Sequence, residues 1–196
     1  MSNATTVLLC GVGGQGTILA ADLLARTALA SNYDVKVSEI HGMSQRGGAV
    51  TTVVRFGTEP VATMVADHGC VDCVVSFETT EALRNLPFVR EGGYLLVADE
   101  DIKPLPVLTG KAGMPENARE KLQAAGASLI PAGPIAEQVA TAKSVNVVLL
   151  GALATRLDFS EEVWKEVISK RVPPKTVEAN LHAFDAGYEF ARKGAE

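Results

Sequence analysis

The sequence predicts an α/β domain with a mostly parallel, partly mixed sheet and a helical C-terminal third. Three observations point there. The short apolar run Thr6 to Cys10 ends in glycines and passes straight into a helical pattern, the opening of a strand–turn–helix unit. Short apolar, often β-branched runs then keep alternating with helical segments as far as Ile130. The composition is 47% hydrophobic but only 5% aromatic, which suits stacked sheets and helices better than an aromatic-rich binding surface. With 196 residues the chain can bury one substantial core, so residues 1–196 are read as one domain.

The elements follow in order. After the glycines, Ile18, Leu19, Leu23 and Leu24 recur at helical spacing from Thr17 to about Ala30. Val35 to Ile40 reads as a second strand, which makes the first 40 residues a βαβ unit with parallel pairing across the crossover helix. Ala49 to Phe56 is β-branched and ends in Gly57-Thr58-Glu59-Pro60 before the apolar stretch Val61 to Val65. That punctuation predicts a hairpin and therefore a mixed sheet. Asp72 to Phe77 and Gly93 to Ala98 are further strands, separated by a helix around Thr80 to Leu86.

Lys103 to Pro115, rich in Pro and Gly, reads as one exposed loop rather than a domain boundary. A Pro-started helix from Pro115 to Ala125 leads to one more short strand at Ser128 to Pro131. Val145 to Leu157, Ser160 to Lys170 and Thr176 to Lys193 carry helical periodicity, and Pro173-Pro174 separates the last two. Ser160 is the expected N-cap of its helix, with Glu161 and Glu162 favourable in the first turn. The expected arrangement is a Rossmann-like three-layer domain.

Charge and cysteine usage exclude several function classes. The net charge is -5 and no block of Lys and Arg could neutralise a row of phosphates, so nucleic acid is not an expected partner. The longest nearly unbroken apolar stretch, Val145 to Ala154, is about half the ~20 residues a membrane-spanning helix needs. Met1 to Thr6 lack the basic region of a secretory signal, which predicts a cytoplasmic protein. Cys10, Cys70 and Cys73 are too few for a disulfide framework or for the four thiolates of an iron–sulfur cluster. Any cluster this protein uses is therefore expected on another polypeptide.

The sharpest local signal is Gly11-Val12-Gly13-Gly14-Gln15-Gly16, which satisfies G-x-G-x-x-G directly after a strand and at the start of a helix. Its glycines permit a tight turn and close backbone approach, and the free amides at the helix N-terminus favour an anion. Two readings stay open: Gly11, Gly13, Gly14, Gln15 and Gly16 contact a ligand, or they only allow close strand–helix packing. Use as a nicotinamide or flavin site calls for an acidic residue at the end of the second strand. Glu39 is the candidate, slightly further from the glycines than the ~20 residues of the usual fingerprint.

The loop His41-Gly42-Met43-Ser44-Gln45-Arg46-Gly47-Gly48 should leave the same carboxyl edge of the sheet as the glycine turn, so that both face one crevice. Arg46 could hold a carboxylate or phosphate bidentately, Ser44 and Gln45 could donate hydrogen bonds, and Gly47 and Gly48 would leave room for a ligand. A solvated turn is the plain alternative. His41 has no nucleophile or second metal ligand beside it and reads as structural, while His68 and His182 are isolated. Cys70-Val71-Asp72-Cys73 matches C-x-x-C without a second pair, and Cys73 opens an apolar strand, so the pair reads as structural. Asn146, at the start of an apolar helix, reads as a turn or cap residue ahead of a ligand contact.

Taken together, the glycine turn, the Glu39 to Gly48 segment and Ser144-Val145-Asn146-Val147-Val148-Leu149-Leu150-Gly151-Ala152-Leu153 resemble the gamma-type domain of 2-oxoacid:ferredoxin oxidoreductases. The resemblance extends through Arg171-Val172-Pro173-Pro174-Lys175 and the closing helix, and its most specific piece is the His41 to Gly48 loop. Pyruvate-type members carry a Pro-Glu pair before Arg-Gly-Gly, whereas Ser44-Gln45 stand here, which favours the branch acting on indolepyruvate and other arylpyruvates. The resemblance implies a heteromeric enzyme whose large partner binds thiamine diphosphate and iron–sulfur clusters. It also implies decarboxylation of a 2-oxoacid on thiamine, electron passage through the clusters to ferredoxin, and acyl transfer to coenzyme A. On that reading the chain binds no cofactor alone and contributes to a site seated on its partner. Two rivals remain: a stand-alone NAD- or FAD-dependent oxidoreductase, and a non-catalytic assembly subunit.

Overall fold

The computed structural model describes residues 4–41 and 48–194. Ser44, Gln45, Arg46 and Gly47, four of the residues expected at the site, lie outside them. The chain opens with β1 (Thr5–Val12), α1 (Thr17–Ala30), β2 (Asp34–His41) and β3 (Ala49–Gly57). It continues through β4 (Val71–Ser76), α2 (Thr79–Asn85), β5 (Val89–Ala98), α3 (Leu105–Leu108), α4 (Ala118–Ala124), β6 (Ser128–Ile130) and α5 (Ala132–Val139). It closes with α6 (Val145–Ala154), α7 (Glu161–Arg171) and α8 (Val177–Lys193). No described helix is long and apolar enough to cross a membrane.

The six strands form one sheet in the order β2-β3-β1-β4-β5-β6. β1, β4, β5 and β6 are parallel neighbours, while β3 is antiparallel to both β1 and β2. The expected mixed, mostly parallel α/β sheet is therefore present, but two local expectations are corrected. β2 runs in the direction of β1 without pairing to it, because β3 lies between them. Burial decides this order: Val50, Thr52, Val53, Val54 and Phe56 of β3 are buried on both faces, a central-strand pattern, whereas Asp34, Lys36 and Glu39 make β2 fit for an edge. The hairpin thus joins β2 to β3 and does not follow β3.

Val61 to Val65 forms no strand, since both edges of β3 are already taken. It is tied down instead by the Val61 amide on Asp34 Oδ2 at 2.7 Å and by Arg55 Nη1 on the Val65 carbonyl at 3.1 Å. The sequence reading also missed α5, whose Gly133-Pro134 looks like turn chemistry; Pro is tolerated there because the first turn of a helix lacks intrahelical acceptors for its amides.

Alternation along the strands buries both faces of the sheet. Val7 and Leu9 face a large layer built with α1, α5, α6, α7 and α8, and Leu8 and Cys10 face a smaller one that takes Ala82 of α2 and Leu122 of α4. α6 is buried along almost its whole length between the sheet and α8. Its approach to α8 depends on two glycines: a Cβ at Gly151 would strike the Phe184 carbonyl and lie 2.8 Å from the Tyr188 nitrogen, and one at Gly187 would strike the Val148 carbonyl. The Ser160 hydroxyl accepts a hydrogen bond from the Val163 amide and caps α7 as expected.

Candidate functional site

After β1 the chain turns onto one face of the sheet to form α1, and after the adjacent parallel strand β4 it turns onto the other to form α2. The carboxyl ends of β1 and β4 therefore flank a topological switch point, where α/β sheets open a crevice. The glycine turn occupies it. Gly14 and Gly16 have φ of 107° and 81°, the left-handed region that favours glycine. The Gln15 amide donates to the Val12 carbonyl at 3.1 Å and closes the turn.

Three neighbours hold this turn. The Gly13 amide donates to the Gly48 carbonyl at 2.9 Å, which joins the turn to the end of the expected second loop at one sheet edge. The Gln15 side chain accepts from the Val12 amide at 2.7 Å and donates to the Phe77 carbonyl at 2.8 Å. Asn146, buried at the start of α6, places its amide nitrogen 3.4 Å from the Gly16 carbonyl, and a Cβ at Gly16 would come within 2.6 Å of that nitrogen. Asn146 Oδ1 also accepts from the Val147 amide at 3.0 Å, so its role includes the local turn contact expected of it.

In front of the turn lies a cleft of about 570 Å³. Gly14, Gln15, Gly16 and Leu19 form one wall, Glu100 and Ile102 beyond β5 another, and Gly133 and Glu137 of α5 with Lys143, Val145 and Asn146 complete it. Lys143 is the one cation among the described residues lining it. α1 starts with no side-chain cap and no acidic residue in its first turn, so its amide end presents positive potential beside Lys143. An anion is suited to this end, and hydrogen-bond donors of the same ligand to the Glu100 and Glu137 side.

Among the expected residues, the structure brings Gly14, Gln15 and Gly16 to the cleft and ties Gly13 to Gly48. Gly11 is buried behind the turn, where a Cβ would meet Gln15 Oε1 at 2.7 Å and Phe77 Cβ at 2.9 Å, a packing position. Lys143, Glu100 and Glu137 were not singled out by sequence; for Lys143 the only signal was its place directly before the Ser144 to Leu153 segment. Glu39 is separated from β1 by β3, since Glu39 and Leu9 both pair with Thr52. Two strand spacings, roughly 10 Å, put it out of the neighbouring-strand position that ribose recognition uses.

The three cysteines are unpaired thiols. Burial pushes the Cys10 and Cys73 thiols up to about 12, while Cys70 is exposed. Thiolates are what bind iron, and no group of three or more His, Cys, Asp or Glu among the described residues could hold a metal ion. These residues do not fit an iron–sulfur cluster, nor the divalent cation through which a diphosphate cofactor is commonly held.

The family model described as pyruvate ferredoxin/flavodoxin oxidoreductase matches residues 6–190. The chain is 40% identical over 194 residues to the indolepyruvate oxidoreductase subunit IorB of Pyrococcus horikoshii and 39% identical over 194 residues to that of Thermococcus kodakarensis. Each alignment covers 95% of this chain and 96% of the relative. In fold it is similar to the 2-oxoglutarate:ferredoxin oxidoreductase of Magnetococcus marinus, solved with 2-oxoglutarate, coenzyme A and succinyl-CoA bound, with a TM-score of 0.75. That match has 23% identity and covers 98% of this chain and 32% of the other. With a family match across almost its whole length and relatives aligned end to end, the chain belongs to the pyruvate ferredoxin/flavodoxin oxidoreductase family and is a small subunit of a ferredoxin-dependent 2-oxoacid oxidoreductase.

Proposed function

We propose that this subunit serves an indolepyruvate- or arylpyruvate-oxidising enzyme, in which its cleft holds an anionic group of a reactant beside the partner's catalytic centre. The observation that carries the reading is the uncapped start of α1 and Lys143 facing one cleft at the switch point. The anion is the carboxylate of the 2-oxoacid or a phosphate of coenzyme A, and the presence of both kinds of ligand in the Magnetococcus marinus protein supports that pair of choices. Thiamine diphosphate and the iron–sulfur clusters belong on this reading to a large partner subunit, which passes electrons to ferredoxin. The names of the two IorB relatives and the Ser44-Gln45 pair before Arg46 support the arylpyruvate branch. A cytoplasmic location goes with the same reading.

The test is reduction of a viologen dye by indolepyruvate and coenzyme A with this chain alone, the large subunit alone, and both together. Activity only in the mixture is the expected result. Unchanged activity of the assembled enzyme when both loops are altered would make this chain an assembly subunit, and a calorimetric NAD or FAD signal from the isolated chain would make the glycine turn a dinucleotide site. Within the active mixture, Arg46→Ala should raise KM for the 2-oxoacid or for coenzyme A about tenfold, the scale of a lost charge-assisted contact.

A further inference from the structure

The two walls of the cleft are joined behind it by one short connector. Phe77 and Glu78, between β4 and α2, and Thr79, the first residue of α2, are all fully buried. On one side the Phe77 carbonyl accepts from Gln15 Nε2 at 2.8 Å, and the Phe77 amide donates to the Cys10 carbonyl at 2.8 Å, so the connector grips the glycine turn. On the other side the Thr79 amide donates to the Glu100 carbonyl at 2.9 Å and its hydroxyl donates to Asp101 Oδ1 at 2.5 Å, so it grips the segment beyond β5. That segment alternates: Glu100 and Ile102 line the cleft, while Asp99 and Asp101 turn away to the Arg119 guanidinium at 2.5 and 2.6 Å. The connector itself is held by Glu78, whose carboxylate caps α2 by accepting from the Thr80 amide at 2.9 Å and from the Glu81 amide.

We propose that Phe77–Glu78–Thr79 is the positioning hub of the cleft, with Gln15 as the clip to the glycine wall and Thr79 as the clip to the Glu100 wall. Neither side chain needs to touch a ligand. The Gln15 amide is held at both ends by the protein, its oxygen by the Val12 amide and its nitrogen by the Phe77 carbonyl, so its orientation is fixed from within. Each clip sets the distance between the uncapped end of α1 and the carboxylate of Glu100, and a displaced binding wall weakens ground-state and transition-state binding alike, which is read as a raised KM with kcat little changed. The proposal rests on the reading of the cleft as a reactant site.

The experiment compares KM for indolepyruvate and for coenzyme A, kcat, and the melting temperature of the free subunit, in the reconstituted enzyme, for four variants. Gln15→Met and Thr79→Val nearly keep volume; the first loses both side-chain hydrogen bonds, and the second loses the hydroxyl bond to Asp101 while its amide bond to the Glu100 carbonyl remains. Thr79→Ser keeps the hydroxyl, and Lys143→Ala alters the cleft without touching either clip. The expected result is that Gln15→Met and Thr79→Val each raise one KM about tenfold with a smaller change in kcat, that their double variant falls short of the product of the two, and that Thr79→Ser stays at the wild-type KM. If Gln15→Met does not fold, Gln15→Glu keeps the acceptor for the Val12 amide and sets a carboxylate oxygen against the Phe77 carbonyl; the same rise in KM is expected to persist at an ionic strength that screens the added charge. Lower melting temperature with unchanged KM would overturn the hub, as would a Thr79→Ser variant as impaired as Thr79→Val. If Lys143→Ala shifts a KM and the clip variants do not, the hub alone fails; if no variant shifts either KM, the reading of the cleft fails with it.

Discussion

At the scale of single residues, identity alone was a poor guide to role. Gln15 sits among glycines in a ligand-binding motif, yet its amide is consumed between the Val12 amide and the Phe77 carbonyl, a partner 62 residues away that no local pattern announces. Cys70 and Cys73 share a C-x-x-C motif and diverge in environment: Cys73 lies in β4 at 2% exposure with its thiol pushed up to about 12 by burial, and Cys70 lies outside the strand and is exposed. Iodoacetamide at pH 8 should therefore label the native subunit once, at Cys70, with Cys10 and Cys73 modified only after denaturation; mass spectrometry of the labelled peptides checks it. Glu81 gives a pH signature. Burial, reinforced by nearby Glu78 and opposed by Arg84, raises its carboxyl above the ordinary 4.5. Because the folded value is the higher one, its contribution to stability is present in full below about 4.5 and is lost as pH rises through the folded value. Urea midpoints at pH 4, 5.5 and 7 should show Glu81→Gln gaining on the wild type as pH rises; parallel curves would contradict the shift.

At the scale of elements, periodicity located most strands and helices but could not assign neighbours. β2 and β3 were both legible as strands, and their order in the sheet was not, because pairing depends on which strand can lose water from both faces. The run Val61 to Val65 has strand composition, but both edges of β3, the strand it follows, are already paired. α5 was hidden by Gly133 and Pro134, residues that read as a turn unless the whole helix packs against α6 and α8. The α6–α8 contact tests the opposite case, a feature written in sequence as an unremarkable glycine. Gly151→Ala places a methyl against the backbone of α8 at Phe184 and Tyr188, which overpacks the α6–α8 contact with no side chain free to give way. A loss of about 3 kcal/mol, the upper end for overpacking, is expected in denaturant titrations of the free subunit, and a change below about 0.5 kcal/mol would mean that the helices separate easily.

At the scale of the whole molecule, one sheet with helices on both faces predicts one cooperative unit across residues 1–196. Trp164 is the only tryptophan and is fully buried in the larger layer, so its fluorescence reports that layer while far-UV circular dichroism reports all helices. Coincident urea transitions by the two signals are expected, and a separated tryptophan transition would divide the chain into independently folding parts. The class of fold, the strand–glycine–helix opening, the count of three cysteines and the family resemblance are legible along the chain, because they rest on local periodicity, composition and short motifs. Tertiary packing sets the rest: β3 separates Glu39 from the glycine turn, the Gln15 amide reaches the Phe77 carbonyl, and Lys143, Glu100 and Glu137 meet Gly14 and Gly16 across one cleft. Those facts come from contacts between segments up to about 130 residues apart, such as Asn146 with Gly16, and such contacts are set by which surfaces bury one another rather than by any pattern along the chain.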